Sequence, residues 1–338
     1  VSFIIIGFTF INGFFRVLFT SRQLSVLDRI LLLFLWWMPI VNIILLRVWC
    51  KKVRYEYIYE VSKEEINRCR KENEICSTKY PIVLVHGIFF RDWMLVNYWG
   101  RIPKALITNG AKIYYGNQQS SNPISKSGEE LKENILKILE ETGAEKVNII
   151  AHSKGGLDAR YAISCLGLDK YVASLTTINT PHKGCNFPEY LLNKLPKGLI
   201  DFVSRKYNNI FKKLGDENPD FLAGVKDLTS SKLAEFNKNV LDAEGVLYQS
   251  VMSKMNNVFS AGFPLNIGYL LSKHFDGEND GLVSVDSGKW GEFLCMLTAN
   301  KKGISHGDVI DLTRKDIKGF DVCEFYVDLV RKLKEKGF

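Results

Sequence analysis

The segment Ala151-His152-Ser153-Lys154-Gly155 constrains this chain most strongly, because of what lies on either side of it. Residues 146–150 form a short β-branched run that is typical of a buried parallel strand, and residues 156–162 favour the opening of a helix. A serine between small residues, in a turn that joins a strand to a helix, indicates a nucleophile elbow. A larger side chain at position 151 or 155 would strike the adjoining strand or helix. The pattern predicts Ser153 as a nucleophile, against the simpler interpretation of a polar turn.

A serine nucleophile needs a base, and the base needs an acid that orients it. In sites built on such an elbow, the chain order is serine, then Asp or Glu, then histidine. The best acid is Asp280, where a turn runs into an apolar stretch, and His306 is the one histidine C-terminal to it. The remaining histidines lie inside other motif elements or precede Asp280: His86, His152, His182 and His274. Asp276 and Asp286 are the fallback acids, although loop carboxylates of this kind are usually only solvated.

An acyl-transfer site also needs donors for the oxyanion of its tetrahedral intermediate. Residues 80–87 read as a buried strand that ends abruptly in His-Gly. A strand that ends in this way delivers a backbone N–H group near the nucleophile. We expect the two donors to be the amides of Ile88 and of Lys154, the residue after the nucleophile. A core strand followed by an ordinary glycine turn would have the same sequence pattern.

Beyond the first 54 residues, short apolar runs alternate with amphipathic ones. The predicted strands are residues 81–86, 111–116, 146–151, 171–178 and 246–251, and the predicted helices are residues 99–109, 128–142, 155–166 and 322–336. This alternation predicts an α/β fold with a mostly parallel central sheet and helices on both faces. Residues 53–61 alternate like an edge strand, and residues 62–78 read as a charged connector.

Residues 186–240 interrupt the alternation with a long, polar, helical segment. One predicted helical face carries the apolar residues Leu199, Ile200, Val203, Tyr207, Ile210 and Phe211. Two interpretations remain open. The segment is an ordinary surface helix that packs on the core, or it is a cap or lid over the Ser153 pocket whose apolar face turns towards lipid.

The N-terminus carries two apolar segments, at about residues 1–19 and 30–49. Each contains an uncharged run near the lower limit of the length that crosses a bilayer, and Pro39 would kink the second. A secretory signal would need a basic start and a small-residue cleavage site, and the sequence shows neither. A buried core hairpin would need far more partner surface than a hydrolase domain offers. We therefore predict a transmembrane hairpin, or one span with a re-entrant segment. Residues 1–54 form this anchor, and residues 55–338 form the catalytic domain.

The basic charge of the chain is concentrated beside these segments. Residues 1–54 carry a net charge of +6, from seven basic residues and Asp28, out of +8 for the whole chain. This distribution suits anionic lipid headgroups, and no nucleic-acid-binding motif accompanies it. Positive-inside counting leans towards a cytoplasmic domain by one or two charges. The odd number of cysteines, seven, without zinc-type spacing, fits reduced thiols.

Taken together, these motifs resemble those of the bacterial triacylglycerol lipases of the α/β-hydrolase superfamily. The resemblance covers most of residues 78–310 and rests on residues 80–87, 98–100, 142–161, 172–184, 278–283 and 306–308. It implies the α/β-hydrolase fold, with Ser153 as nucleophile, His306 as base, Asp280 as acid, and Ile88 and Lys154 as oxyanion donors. The elbow opens with Ala151 where glycine is usual in the family.

The resemblance also implies a chemistry. The expected activity is serine-dependent hydrolysis of acyl-lipid esters at a bilayer, without a required cofactor. Family members often hold a structural calcium ion near a carboxylate two residues after the catalytic histidine, a position that Asp308 occupies. No convincing partner carboxylate precedes Glu278, and calcium wants six to eight oxygens. The alternatives are a short-chain carboxylesterase, a lipid acyltransferase that uses the same acyl-enzyme, and a non-catalytic membrane scaffold.

Overall fold

Six apolar segments pair side by side as parallel strands in this computed structural model, which describes residues 2–35, 37–88, 97–213 and 215–338. The sheet order is β2-β1-β3-β4-β5-β6. The strands are β1 (Ile82–Val85), β2 (Ile113–Tyr115), β3 (Val147–His152), β4 (Val172–Ile178), β5 (Leu247–Ser253) and β6 (Glu292–Leu297). Every residue of β1, β3 and β4 is buried, which explains why these strands read as continuous apolar runs rather than alternating ones.

The sheet belongs to the larger of two compact units, residues 74–313 and 318–338. The helices of this unit are α4 (Ile102–Thr108), α5 (Ile124–Thr142), α6 (Lys154–Cys165), α7 (Asn186–Lys194), α8 (Lys197–Lys213), α9 (Phe221–Asp227), α10 (Ser230–Asn239), α11 (Leu265–Asp276) and α12 (Val322–Glu335). Aliphatic residues of β1, β3 and β4 form one buried cluster with those of α5 and α6. This arrangement is the α/β-hydrolase fold, and the prediction of that fold class is confirmed.

Parallel strands place their carboxyl ends at one edge of the sheet. Register pairs Leu84 with Ile150, and Ile150 with Thr176, so β1, β3 and β4 end close together. The segments that follow these strands carry the predicted oxyanion, nucleophile and Thr180-Pro181 motifs. One edge of the sheet therefore gathers motifs that are separated by up to about a hundred residues.

The segment between β4 and β5 contains the four helices α7 to α10. Of the apolar face predicted on α8, Phe211 is buried and Tyr207 stacks on Phe221, with ring centroids 4.5 Å apart. Leu199, Val203 and Ile210 are exposed. The predicted helical insertion is present, and its apolar face is only partly covered within the larger unit.

The N-terminal unit comprises residues 1–73 and 314–317. Its helices are α1 (Ser2–Thr20), α2 (Val26–Phe34) and α3 (Pro39–Arg70). A small apolar cluster joins them through Leu18, Leu24, Leu32 and Trp49. Among the described residues, α1 is the helix whose length and composition suffice to cross a membrane, and nearly all of its side chains are exposed.

Three predictions for this part of the chain differ from the structure. The second apolar segment is not one helix, because α2 ends at Phe34 and α3 begins at Pro39. Proline is tolerated at the first position of a helix, where its missing N–H group would have no partner in any case. Trp36 lies outside the described residues. The predicted edge strand at residues 53–61 is wrong, since these residues continue α3. The charged connector is helical as far as Arg70, and the unit extends to Asn73 rather than residue 54.

Candidate active site

Ser153 occupies the turn between β3 and α6, in a backbone conformation that L-residues rarely adopt. Its φ is 55° and its ψ is −133°. Neighbouring groups hold this strained turn: the Ser153 N–H donates to the Ile178 carbonyl at 3.0 Å, and the Thr180 hydroxyl donates to the Ser153 carbonyl at 2.8 Å. Strain of this kind persists only where the surroundings over-determine it, and it is common at functional sites. The turn leaves the Ser153 side chain partly exposed between buried neighbours.

Close packing explains the small residues of the elbow. A Cβ atom on Gly155 would overlap the carbonyl oxygen of His86. A Cβ atom on Gly87 would lie 2.7 Å from that of Ser153, so the end of β1 touches the elbow directly. The Gly87 amide donates to the Tyr98 hydroxyl at 3.1 Å, and the next amide along the chain is that of Ile88. Ile88 directly follows a residue in contact with Ser153, and Lys154 directly follows Ser153, so the two amides stay the predicted oxyanion donors.

The predicted acid and base are in direct contact. His306 Nδ1 lies 2.6 Å from Asp280 Oδ2, and the His306 amide donates to the Asp280 carbonyl at 2.8 Å. Asp280 is fully buried, and His306 is 8% exposed. Such a pair fixes which nitrogen of the imidazole carries its proton and leaves Nε2 for a reacting group.

Asp280 is held by four donors. Its Oδ1 accepts the amides of Leu282 and Val283 at 2.9 and 2.8 Å, while its Oδ2 accepts the Asn179 side-chain amide and faces His306, each at 2.6 Å. These contacts fix the position of the Asp280 carboxyl group as an acceptor for the imidazole.

Asn179 is a site residue that the sequence analysis missed. It follows β4 with a φ of 49°, and its side chain also bonds Ser253, through Nδ2 to the hydroxyl at 2.7 Å and through Oδ1 from the amide at 2.8 Å. It therefore ties the acid to the end of β5. Its position between a buried strand and Thr180-Pro181 is a weak signal, which gave no hint of contact with a residue 101 positions away.

The imidazole ring of His152 packs against the predicted base, His306. The His152 ring lies 4.5 Å from the His306 ring, centroid to centroid, and His152 Nδ1 is hydrogen-bonded to the Tyr98 hydroxyl at 2.6 Å. Burial, reinforced by the nearby His306, lowers the pKa of His152 well below its usual range, so this ring stays neutral. Since His152 directly precedes Ser153, this ring contact places His306 beside the elbow.

Lys154 has a buried side chain in addition to its backbone amide. Its ammonium group donates to Asp158 at 2.6 Å and to the Ser127 hydroxyl at 3.0 Å. Burial raises the pKa of Asp158 to about 7, and the Lys154 ammonium opposes that rise. The pair joins the first turn of α6 to α5 and holds the residue whose amide is the predicted oxyanion donor.

We expect Lys154→Met to destabilise the protein by about 3–5 kcal/mol, because it leaves Asp158 buried without its cation. Lys154→Met/Asp158→Leu should recover most of the loss, and exposed Lys137→Met should cost little.

Folding raises the pKa of Asp158 from 3.8, so the unfolded chain loses this proton first and stability falls from about pH 4 to about pH 7. Without Lys154 that fall should continue above pH 7. Urea unfolding of the full chain in non-ionic detergent, at pH 5 and pH 9, measures both effects; equal midpoints for wild type and Lys154→Met would contradict them.

The loop after His306 is held by a largely buried ion pair between Arg101 and Asp311. Arg101 binds Asp311 in a bidentate manner, through Nε at 2.8 Å and through a terminal nitrogen at 2.9 Å, and its amide donates to the same carboxylate at 2.8 Å. Gly100 has a φ of +52°, and a Cβ there would overlap the Asp311 carbonyl. The motif at residues 98–100 therefore supports both His152 and the His306 loop.

Asp308, the carboxylate considered for calcium, is bonded within its own turn. Its Oδ2 accepts the amide and the hydroxyl of Ser305 at 3.1 and 2.7 Å. Among the residues that the structure describes, no group of three or more His, Cys, Asp or Glu side chains has the arrangement of a metal site. A calcium ion needs several oxygen ligands at once, so calcium binding at Asp308 stays a prediction.

The other candidates lie apart from this pair. Asp276 accepts hydrogen bonds from Asn186, and Asp286 is 75% exposed and pairs with Lys183 at 3.0 Å. His182 stacks on Trp290 with ring centroids 5.4 Å apart, and His274 is exposed on α11. Neither fallback acid is bonded to a histidine in the described structure.

A strained serine elbow beside an Asp–His pair, at the carboxyl edge of a parallel sheet, defines the site of a hydrolase of the α/β class. Residues 80–249, half of the chain, match the family model described as alpha/beta hydrolase fold. The chain belongs to this family.

Within it, the similarity is to bacterial lipases. A "Triacylglycerol lipase" of Pseudarthrobacter phenanthrenivorans is 37% identical over 175 residues, which are 48% of this chain and 54% of that protein. One of Vibrio cholerae is 30% identical over 249 residues, 64% of this chain and 76% of that protein. The chain matches about half the length of the first of these. The crystal structure of Staphylococcus hyicus lipase has a TM-score of 0.57, with 18% identity over 77% of this chain and 97% of that one, and supports the fold alone.

Proposed function

We propose that this protein is a membrane-anchored serine ester hydrolase that cleaves acyl-lipid carboxylic esters. The observation that carries the proposal is the Asp280–His306 pair at 2.6 Å, whose imidazole packs on the residue next to the elbow serine. Family membership and the similarity to proteins named triacylglycerol lipase support the same reaction class.

The proposed mechanism uses only groups of this chain. The Ser153 hydroxyl attacks the ester carbonyl while His306 Nε2 takes its proton. The amides of Ile88 and Lys154 donate to the oxyanion, and His306 returns the proton to the departing alcohol. Water, deprotonated by His306, then attacks the acyl-enzyme and releases the fatty acid. Asp280 orients the imidazole and stabilises the imidazolium.

The lipid character of the substrate rests on the surroundings of the site. The α7–α10 insertion exposes Leu199, Val203 and Ile210, as expected for a lid whose apolar face meets lipid. Tethering an ester hydrolase to a membrane would hold its site where acyl lipids concentrate. Hydrolysis that rises sharply once a long-chain ester exceeds its solubility would accompany such a lid.

The anchor is proposed on α1 and on the charge beside it. A nineteen-residue, largely apolar helix whose side chains are mostly exposed, followed by a net basic stretch, fits a span with its flanking headgroup contacts. The slight excess of positive charge after the second apolar segment favours a cytoplasmic location for the larger unit. We expect the full chain to remain in the membrane pellet after alkaline carbonate extraction. Release into the supernatant at the mass of a shortened chain would instead identify α1 as a cleaved signal.

The full chain in non-ionic detergent, assayed on p-nitrophenyl acetate, butyrate and palmitate, tests the reaction itself. Activity that favours palmitate supports a lipase, and activity confined to acetate and butyrate supports a carboxylesterase. Transfer of the acyl group to an added lipid alcohol in preference to water supports an acyltransferase. If the folded protein shows no hydrolysis and no labelling by a serine-directed phosphonate, the result supports a non-catalytic membrane scaffold.

A further inference from the structure

The segment after β5 exposes a group of large apolar side chains beside the site. Phe259 and Phe263 are 80% and 81% exposed, and Ile267 and Leu270, on the first turns of α11, are 49% and 55% exposed. Soluble surfaces rarely carry such a contiguous set unless it binds something. We call these four residues, with Lys301 and Lys302, the Phe259 surface.

This surface adjoins the predicted acid and base. The Leu265 side chain lies against both loops, because a Cβ added to Gly281 or Gly307 would come within 3.2 or 3.7 Å of it. The Met255 amide donates to the Asn279 carbonyl at 2.9 Å, next to Asp280. Phe263 is only two residues from Leu265, so the exposed aromatic side chains and the candidate site share one end of the larger unit.

The charged residues nearest to the surface along the chain are positive. Asn257 donates to the Lys301 carbonyl at 3.1 Å and the Asn256 amide donates to the Lys302 carbonyl at 3.0 Å, so the two exposed lysines stand next to Phe259. Neither residues 255–275 nor residues 293–307 contain an acidic residue. Exposed phenylalanines flanked by lysines are what an anionic bilayer attracts, since the rings enter the interface while the ammonium groups meet phosphates.

We propose that the Phe259 surface docks the larger unit onto an anionic phospholipid bilayer and thereby presents the candidate site to bilayer lipids. The purpose of this docking rests on the proposed function, whereas the docking itself does not. A second copy of the chain is the competing occupant, but two such surfaces would bring like charges together.

Hydrogen–deuterium exchange of the full chain tests the docking without relying on activity. The protein is compared in phosphatidylglycerol vesicles, in phosphatidylcholine vesicles and in non-ionic micelles. We expect amides of residues 256–271 to exchange about tenfold more slowly in phosphatidylglycerol than in micelles, and less slowly in phosphatidylcholine. Phe259→Ser/Phe263→Ser should remove the protection. Lys301→Gln/Lys302→Gln should remove the preference for the anionic lipid, at about fivefold per lysine.

The matched control is Ile107→Ser/Leu241→Ser. Both residues are exposed, and they precede the amino ends of β2 and β5, at the opposite edge of the sheet. This variant should retain the protection. Equal exchange of residues 256–271 in phosphatidylglycerol and in micelles would overturn the proposal. Protection that grows with protein concentration in micelles would overturn it in favour of a second copy.

Hydrolysis adds an independent readout. In phosphatidylglycerol vesicles, Phe259→Ser/Phe263→Ser should hydrolyse a vesicle-borne long-chain ester about tenfold more slowly, with its rate on soluble butyrate within twofold of wild type. A wild-type rate on the vesicle-borne ester would count against docking. If no variant hydrolyses either ester, the proposed function fails, and the exchange measurement still decides the docking.

Discussion

Ser153→Ala is expected to lower kcat for soluble ester hydrolysis by about 10⁴-fold or more. Without the hydroxyl no acyl-enzyme forms, so only oxyanion donors and binding contribute. The substitution should hardly affect folding, because the Ser153 contacts that hold the turn are made by its backbone N–H and carbonyl. The measurement is kcat for p-nitrophenyl butyrate with the full chain in non-ionic detergent.

Ser125→Ala is the matched control, since Ser125 is an exposed serine on α5 and should keep wild-type activity. A fluorophosphonate should add one phosphonyl group to the peptide that contains Ser153 in the wild type and the control, and none in Ser153→Ala. Hydrolysis that persists in Ser153→Ala at more than a tenth of the wild-type kcat would exclude Ser153 as the nucleophile.

Asp280→Asn is expected to lower kcat by about 10⁴-fold at neutral pH. Three N–H groups donate to the Asp280 carboxylate, and the fourth partner, His306 Nδ1, must also donate to it. Asparagine has an NH₂ group in place of one carboxylate oxygen, and this group cannot accept from the two donors on its side. If it takes the side that faces His306, Nδ1 must accept, and the proton moves to Nε2, where it blocks the base. The change also removes the charge that stabilises the imidazolium.

Asn179→Ala distinguishes positioning from chemistry in the same assay. It removes one of the four contacts and the link to Ser253 but leaves the carboxylate, so we expect kcat to fall about 10- to 100-fold with little change in KM. Asp276→Asn and Asp286→Asn are the matched controls and should retain activity within about twofold. An inactive Asp286→Asn, with an active Asp280→Asn, would show that the fallback acid is the true one.

Much of this site follows from local rules of sequence. An elbow serine needs small neighbours, and Gly155 has no room for a Cβ beside the His86 carbonyl. The order of motifs singled out Asp280 and His306, and the structure places them 2.6 Å apart. Helix–strand alternation likewise predicted five of the six parallel strands, and the fully buried β1 and β3 were recognisable as short β-branched runs.

Where local patterns were ambiguous, prediction failed. Residues 53–61 alternate as a strand would, yet they lie in α3, because a helix already begun at Pro39 continues at little cost through residues without glycine or proline. β6 was not predicted: its apolar residues 293–297 include no β-branched residue, and it is an edge strand that is exposed at Glu292 and Phe293. α11 was missed because its amphipathic stretch is short and borders a turn-rich segment.

The sequence by itself determined the class of fold, the strand–Ser153–helix turn and the chain order of the candidate acid and base, because these depend on residues a few positions apart or on chain order. Only the tertiary structure decided which side chains hold the acid and where the apolar surface lies. Asn179 meets Asp280, and Lys301 stands beside Phe259, through contacts between segments 40 to 100 residues apart. The parallel sheet brings such segments together at its carboxyl edge, and no local pattern records which of them will touch.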